Sequence, residues 1–294
     1  WQDGTWFARA DLNYKDKQYV DAGNLTWIKA RSQVNLRAGL RTGAFGVDAY
    51  MTNAFNDKNY LSIAQNTALF ALIGTIYGGN GNDRIYGWVG DEILDGGAGD
   101  DSIYGEDGND SLWGWEDSDT LFGGKGNDVV GGDEGDDYLY GEGGDDSVYG
   151  YDGNDYIDGG TGNNLLMGEN GNDLIYGNNG NDTVYGGDGT DLIYGFGGTD
   201  YLAGDSGNDT IYGGINSSTI DGGTGSDLLI GYDAANVFLG GDGNDSLYGE
   251  AGSDHLIGGN GDDYLSGGGE VQYQHSQNLM EGGLGHDYYV GNVH

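Results

Sequence analysis

Glycine recurs every nine residues from Gly78 to Gly258 without one failure. The stretch 78–266 therefore divides into 21 units of nine with no insertion. The first unit reads GGNGNDRIY, the third GGAGDDSIY and the last GGNGDDYLS. Position 4 is Gly in 18 units, departing at Asp117, Asn216 and Ala234. Position 6 is Asp in 17, departing at Glu92, Asn164, Ser218 and Asn236. Position 8 is a large apolar residue in every unit, from Ile85 and Leu94 to Leu256 and Leu265. A phase held this long specifies a stacked repeat, in which each unit is completed by its neighbours.

Each unit has two halves. GGxGxD is a turn, because Gly supplies positive φ and close backbone approach. The last three positions form a short strand with one side chain inward and two outward. One inward residue needs a facing strand, so two units make one coil of 18 residues. Coils then stack as parallel strands about 4.8 Å apart. The chain contains no proline, which would interrupt such a ladder.

Charge separates this region from what precedes it. Residues 1–77 carry eight basic and six acidic side chains; residues 78–294 carry Arg84 and Lys125 against 43 acids, and the whole chain sums to −39. Nucleic acid is excluded as a partner, since phosphate binding needs clustered Lys and Arg. The longest apolar run, Ala68 to Ile73, is far below the ~20 residues of a membrane-spanning helix. With no Cys there is no disulfide framework and no thiolate metal site. The chain opens on Trp1 with no secretory leader, as expected of a piece of a longer protein.

One inward side chain per unit is a thin core, and position-6 carboxylates of successive coils repel one another at strand spacing. A hard dication between turns reverses that sign. Carboxylate and carbonyl oxygens suit calcium, which takes about six to eight oxygen ligands. Magnesium demands a stricter octahedron and holds its waters. Softer metals lack ligands, with no Cys and four scattered His.

GGxGxDxUx resembles the RTX, or hemolysin-type, calcium-binding repeat over 78–266, and again at Gly282–Val290 (GGLGHDYYV). The resemblance implies an all-β fold: a right-handed parallel β-roll over 69–294, with regular repeats at 78–266 and a degenerate end at 267–294. It also implies calcium between turns, type I secretion from Gram-negative bacteria, and folding on reaching extracellular calcium.

In that geometry odd units turn on one edge and even units on the other. The odd edge carries Asp83, Asp101, Asp119, Asp137, Asp155, Asp173, Asp191, Asp209, Asp227, Asp245 and Asp263, an unbroken row. The even edge carries Asp110, Asp128, Asp146, Asp182, Asp200 and Asp254, interrupted by all four departures. Asp287 holds position 6 of the late unit. With one ion between units n and n+2, the expectation is about 13 strong calcium sites, continuous on the odd edge alone.

Position 9 is aromatic in eight of eleven odd units: Tyr86, Tyr104, Phe122, Tyr140, Tyr176, Tyr194, Tyr212 and Tyr248. Such a row either packs across strands or offers a contact face to a glycan or protein partner. At the ends, Leu69–Tyr77 fits one further phase with Ile76 inward, as a cap. After Ser266 the phase slips by six residues, Gly267–Gln272, before the weak unit YQHSQNLME.

The first 68 residues read differently. Trp6–Tyr14, Val34–Leu40 and Phe45–Met51 alternate apolar and polar, with a hairpin turn at Arg41–Ala44. This predicts a short antiparallel β segment. The run at 32–60, ending Asn53-Ala54-Phe55-Asn56-Asp57-Lys58-Asn59-Tyr60, resembles the last strands of a TonB-dependent outer-membrane receptor. That implies a barrel-roll fusion, although three strands close no barrel; a chimeric gene and an unrelated β segment are the alternatives.

No HExxH or GxSxG occurs, and no turn has a P-loop lysine. The expected function is calcium binding without catalysis by a secreted or cell-surface roll. A structural or adhesive spacer, and a receptor fragment fused to a roll, are the alternatives.

Overall fold

The structure is a computed structural model. It describes residues 75–232, 234–268 and 277–291 in full, and five strands before residue 65 by their backbone.

The repeat region forms two parallel sheets, from β6 (Ile76–Asn80) to β29 (Tyr288–Val290). Even-numbered strands make one twelve-stranded sheet; odd-numbered strands make the other. Each strand pairs with the strand one coil away, in a register offset by 18: Ile85 lies beside Ile103, and Leu112 beside Val130. The position-8 residues form two facing files along the axis. All 21 are fully buried from Ile85 to Leu265, and Ile76 caps the file at 4% exposure.

Most of the roll's strands are longer than three residues, although six on the odd sheet, such as Tyr156–Asp158 and Thr210–Tyr212, cover positions 7 to 9 alone. β9 (Ser102–Asp107) covers positions 7 to 9 and runs on into the first three of the next unit. Its burial alternates, so position 1 faces inward as position 8 does. This second inward place explains the unbroken glycine phase. A Cβ on Gly78 would lie 2.5 Å from the Gly96 carbonyl oxygen one coil on, and 2.8 Å from its own unit's Asp83 Oδ2. No side chain fits there. Position 2 has positive φ throughout most of the roll and is often not glycine: Trp88, Trp115 and Phe196 take φ of 82°, 84° and 64°. For bulky side chains that costs on the order of 1 kcal/mol or more each.

The late units rejoin the roll. His255 pairs with Leu279 and Leu265 with Tyr289, offsets of 24 instead of 18. Gly267 and Gly268 keep positions 1 and 2, since a Cβ on Gly268 would meet Glu250, as Gly259 meets Gly241 one unit earlier. Gln277 and Asn278 resume positions 5 and 6 beside Ser253 and Asp254. Positions 1 and 2 are thus held by Gly267 and Gly268 and positions 5 and 6 by Gln277 and Asn278, so the phase slips by six after Gly268 and not at Gly267–Gln272. Met280 enters the core file at 7% exposure.

Before the roll, β1 (Gly4–Asn13), β3 (Gln33–Thr42), β4 (Phe45–Thr52) and β5 (Asn59–Ala64) pair antiparallel in sequence, with β2 (Tyr19–Val20) beside β1. Thr42 opposite Phe45 closes the expected hairpin. β5 lies parallel to β7 (Asp83–Val89), at one end of the odd sheet.

Rings at odd position 9 stack along that sheet. Tyr86, Tyr104, Phe122 and Tyr140 are 4.8, 5.0 and 4.7 Å apart with planes within 11°. Tyr176, Tyr194 and Tyr212 continue at 5.2 and 4.8 Å. Where Asp158 breaks the row, Tyr156 at position 7 leans across, 5.5 Å from Tyr140 and 5.6 Å from Tyr176. Rings that cover one another's faces are cross-strand packing.

Candidate metal centre

Two ladders of opposite polarity hold the turns, the first along both edges and the second in many of the units. In the first, a position-6 side chain accepts the backbone N–H of the position-6 residue one coil earlier. On the odd edge the Asp83 N–H donates to Asp101 Oδ1 at 2.6 Å, and the Asp101 N–H to Asp119 Oδ1 at 2.7 Å. The same bond joins Asp119 to Asp137, Asp137 to Asp155, Asp155 to Asp173, Asp173 to Asp191 and Asp191 to Asp209. It continues through Asp227, Asp245 and Asp263 and ends at Asp287. The even edge keeps the ladder through Asp110, Asp128, Asp146, Asp182, Asp200 and Asp254, with other residues interposed.

The second ladder was not anticipated. A position-5 side chain accepts the N–H of position 5 one coil later, as Asn109 Oδ1 does from Asn127 at 2.7 Å and Asn127 Oδ1 from Asp145 at 3.0 Å. The signal was in the sequence: position 5 is Asn, Asp, Ser or Thr in every unit except the one with Ala235.

In most position-6 carboxylates from Asp101 to Asp263 one oxygen is thus engaged and the other is not. Among the described residues, fifteen position-6 aspartates from Asp101 to Asp263 bury an Oδ2 with no hydrogen-bond partner. A buried charge without a partner is strongly unfavourable. The carboxyls respond accordingly. Burial pushes Asp119 and Asp155 up to about 8, and Asp101, Asp146, Asp173, Asp182 and Asp209 up to about 7. The N–H bond pulls the other way in each, and neighbouring carboxylates add to the rise in most.

The free oxygens face main-chain carbonyls. A Cβ placed on Gly141 would lie 2.7 Å from both Asp146 Oδ2 and the Gly159 carbonyl oxygen. On the odd edge the same cradle is formed at Gly186 by Asp191 and Gly204. Among the described residues no three His, Asp or Glu side chains converge. The donors at each turn are carboxylate and carbonyl oxygens, a hard-oxygen set that fits calcium.

The departures differ in kind. Glu92 keeps a buried, unpartnered Oε2, and burial pushes its carboxyl up to about 7, so a carboxylate pair survives with Asp110. Ser218 Oγ donates to Asp200 Oδ2 at 3.5 Å and accepts the Asp200 N–H at 3.2 Å. Asn164, Asn236 and Asn278 accept the ladder bond through Oδ1 and turn Nδ2 back to a carbonyl.

Coils of a parallel solenoid, edged by buried and unpartnered carboxylate oxygens, define a cation-binding repeat protein. The family model for the RTX calcium-binding nonapeptide repeat matches residues 73–103, 95–130, 131–166, 158–193, 194–229, 212–247 and 239–270. The chain belongs to that family. A Phage Tail Collar Domain model matches residues 53–85. No curated protein is significantly similar to the chain. The receptor resemblance of the first 65 residues is not borne out by these matches, nor is a glycan or protein contact along the ring row.

Proposed function

We propose that the roll binds a row of calcium ions along each edge, and that binding completes its fold. Each ion takes the free oxygens of two position-6 carboxylates one coil apart, together with glycine carbonyls of the turns. The fifteen buried Oδ2 atoms without partners carry this reading. The register of Asp287 beneath Asp263 supports an eleventh pair on the odd edge. The Asp pairs 110/128, 128/146 and 182/200 serve the even edge. The role is structural and non-catalytic, in an extracellular or cell-surface setting where calcium is plentiful. Affinities on the order of 10⁻⁴–10⁻³ M suit such modules.

The test is a calcium titration followed by far-UV circular dichroism, with magnesium as control. A cooperative gain of β signal with calcium alone is expected. A full β signal in metal-free buffer at pH 8 that calcium leaves unchanged overturns the coupling of metal to fold.

A further inference from the structure

The even edge departs from Asp at places where the odd edge never does, and every departure except Glu92 shares one chemistry. In Asp146 the side chain turns Oδ1 to the ladder and leaves Oδ2 beside Gly141. In Asn164 and Asn236 the Oδ1 keeps the ladder while Nδ2 occupies the other place, 2.9 Å from a Cβ built on Gly159 and 2.7 Å from one on Gly231. An oxygen that needs a cation becomes an N–H that needs an acceptor. The acceptor is at hand in the turn. Asn236 Nδ2 donates to the Ala234 carbonyl at 3.0 Å, Asn164 Nδ2 reaches the Gly162 carbonyl at 3.5 Å, and Asn278 Nδ2 donates to the Gly267 carbonyl at 2.5 Å. All three asparagines are at most 4% exposed. Ser218 reaches the same end by covering the Asp200 Oδ2 with its hydroxyl. None of the four residues has an unpartnered buried side-chain atom, whereas fifteen aspartates in equivalent places do.

We infer that Asn164, Ser218, Asn236 and Asn278 are metal-free closures, in which a neutral side chain does internally what calcium does elsewhere. They divide the even row into the carboxylate segments 92–146 and 182–200 and leave Asp254 by itself. The roll thus carries one continuous metal edge and one edge that holds its coils together without metal at fixed intervals. The inference rests on the calcium reading above and deepens it.

Restoring carboxylates tests it. Asn164→Asp creates the pairs 146/164 and 164/182, so bound calcium per chain, measured by equilibrium dialysis and atomic emission, rises by two. Ser218→Asp with Asn236→Asp creates 200/218, 218/236 and 236/254, and the count rises by three. In the reverse direction, Asp128→Asn removes two pairs and installs a closure. The count falls by two while the variant still folds in calcium, and this arm stands even if the added carboxylates prevent folding. Wild-type chain that binds no calcium overturns the calcium reading itself. Wild-type chain that binds calcium, with folded variants whose counts do not change, overturns the closures alone.

Discussion

Asp263 and Asp287 are 24 residues apart in sequence and one coil apart in space: the Asp263 N–H donates to Asp287 Oδ1 at 3.2 Å. The bond has the form of every other link on that edge, where the separation is 18. The strand register is intact across six additional residues, because pairing is decided by the facing ladders and the core residue Met280, not by the length of chain between strands. Asp287 is the last carboxylate of the odd row. Asp287→Asn should therefore lower bound calcium by one ion and leave the remaining coils folded. Equilibrium dialysis beside circular dichroism checks both; a loss of several ions would mean that the row binds as a single unit.

Position 1 must be glycine for want of space, and the neighbouring turn positions are less demanding. In Gly141→Ala the new methyl meets a backbone carbonyl and the Asp146 Oδ2, neither of which can withdraw. A loss of about 1–3 kcal/mol is expected, as for overpacked cores, with weaker calcium binding at that turn. Gly143→Ala, two residues on, meets only Thr161 Oγ1 at 3.4 Å and the Gly124 carbonyl at 3.7 Å. It should be within about 0.5 kcal/mol of wild type. Denaturant unfolding in saturating calcium compares the two; equal losses would contradict the role given to position 1.

Much of this was legible in the sequence because it depends on side-chain identity at a fixed phase. The inward file from Ile85 to Leu265, the cap at Ile76 and the odd and even edges all follow from counting by nine. Features that depend on direction rather than identity were not. Asn164 and Glu92 looked alike as departures, yet one closes its turn with an N–H and the other keeps a free carboxylate oxygen. The position-5 ladder was missed because an exposed Asn in a turn already has a local explanation. The extra residues near 267 were placed between units, because only strand pairing shows that Gly267 and Gly268 still belong to the turn.

The ring row should stabilise the odd sheet without touching metal. Tyr104 stacks between Tyr86 and Phe122 at 4.8 and 5.0 Å. Each such contact is worth about 0.5–1.5 kcal/mol beyond buried area. Tyr104→Ala should lower stability by about 1–3 kcal/mol with bound calcium unchanged. Thermal unfolding at saturating calcium and a metal count, run on the same sample, decide it. A wild-type melting curve would assign the row to something other than packing.

Without calcium, the pH dependence should run opposite to that of an ordinary acidic protein. Burial raises Asp119 and Asp155 to about 8 in the folded roll, against an ordinary carboxyl value of 3.8. A group whose folded value is raised favours the fold below its unfolded value, and that contribution disappears as pH rises through the folded value. The metal-free roll is thus best supported near pH 4 and loses that support between about pH 4 and 8, as successive aspartates ionise without partners. Calcium reverses the sign by supplying the partner. Protons then compete with the ion for the same oxygens, so the calcium midpoint rises as pH falls from 8 to 6. Circular dichroism across pH in metal-free buffer, paired with calcium titrations at the two ends of that range, reads both slopes. A metal-free β signal that grows with pH would show that the buried carboxylates find partners other than calcium.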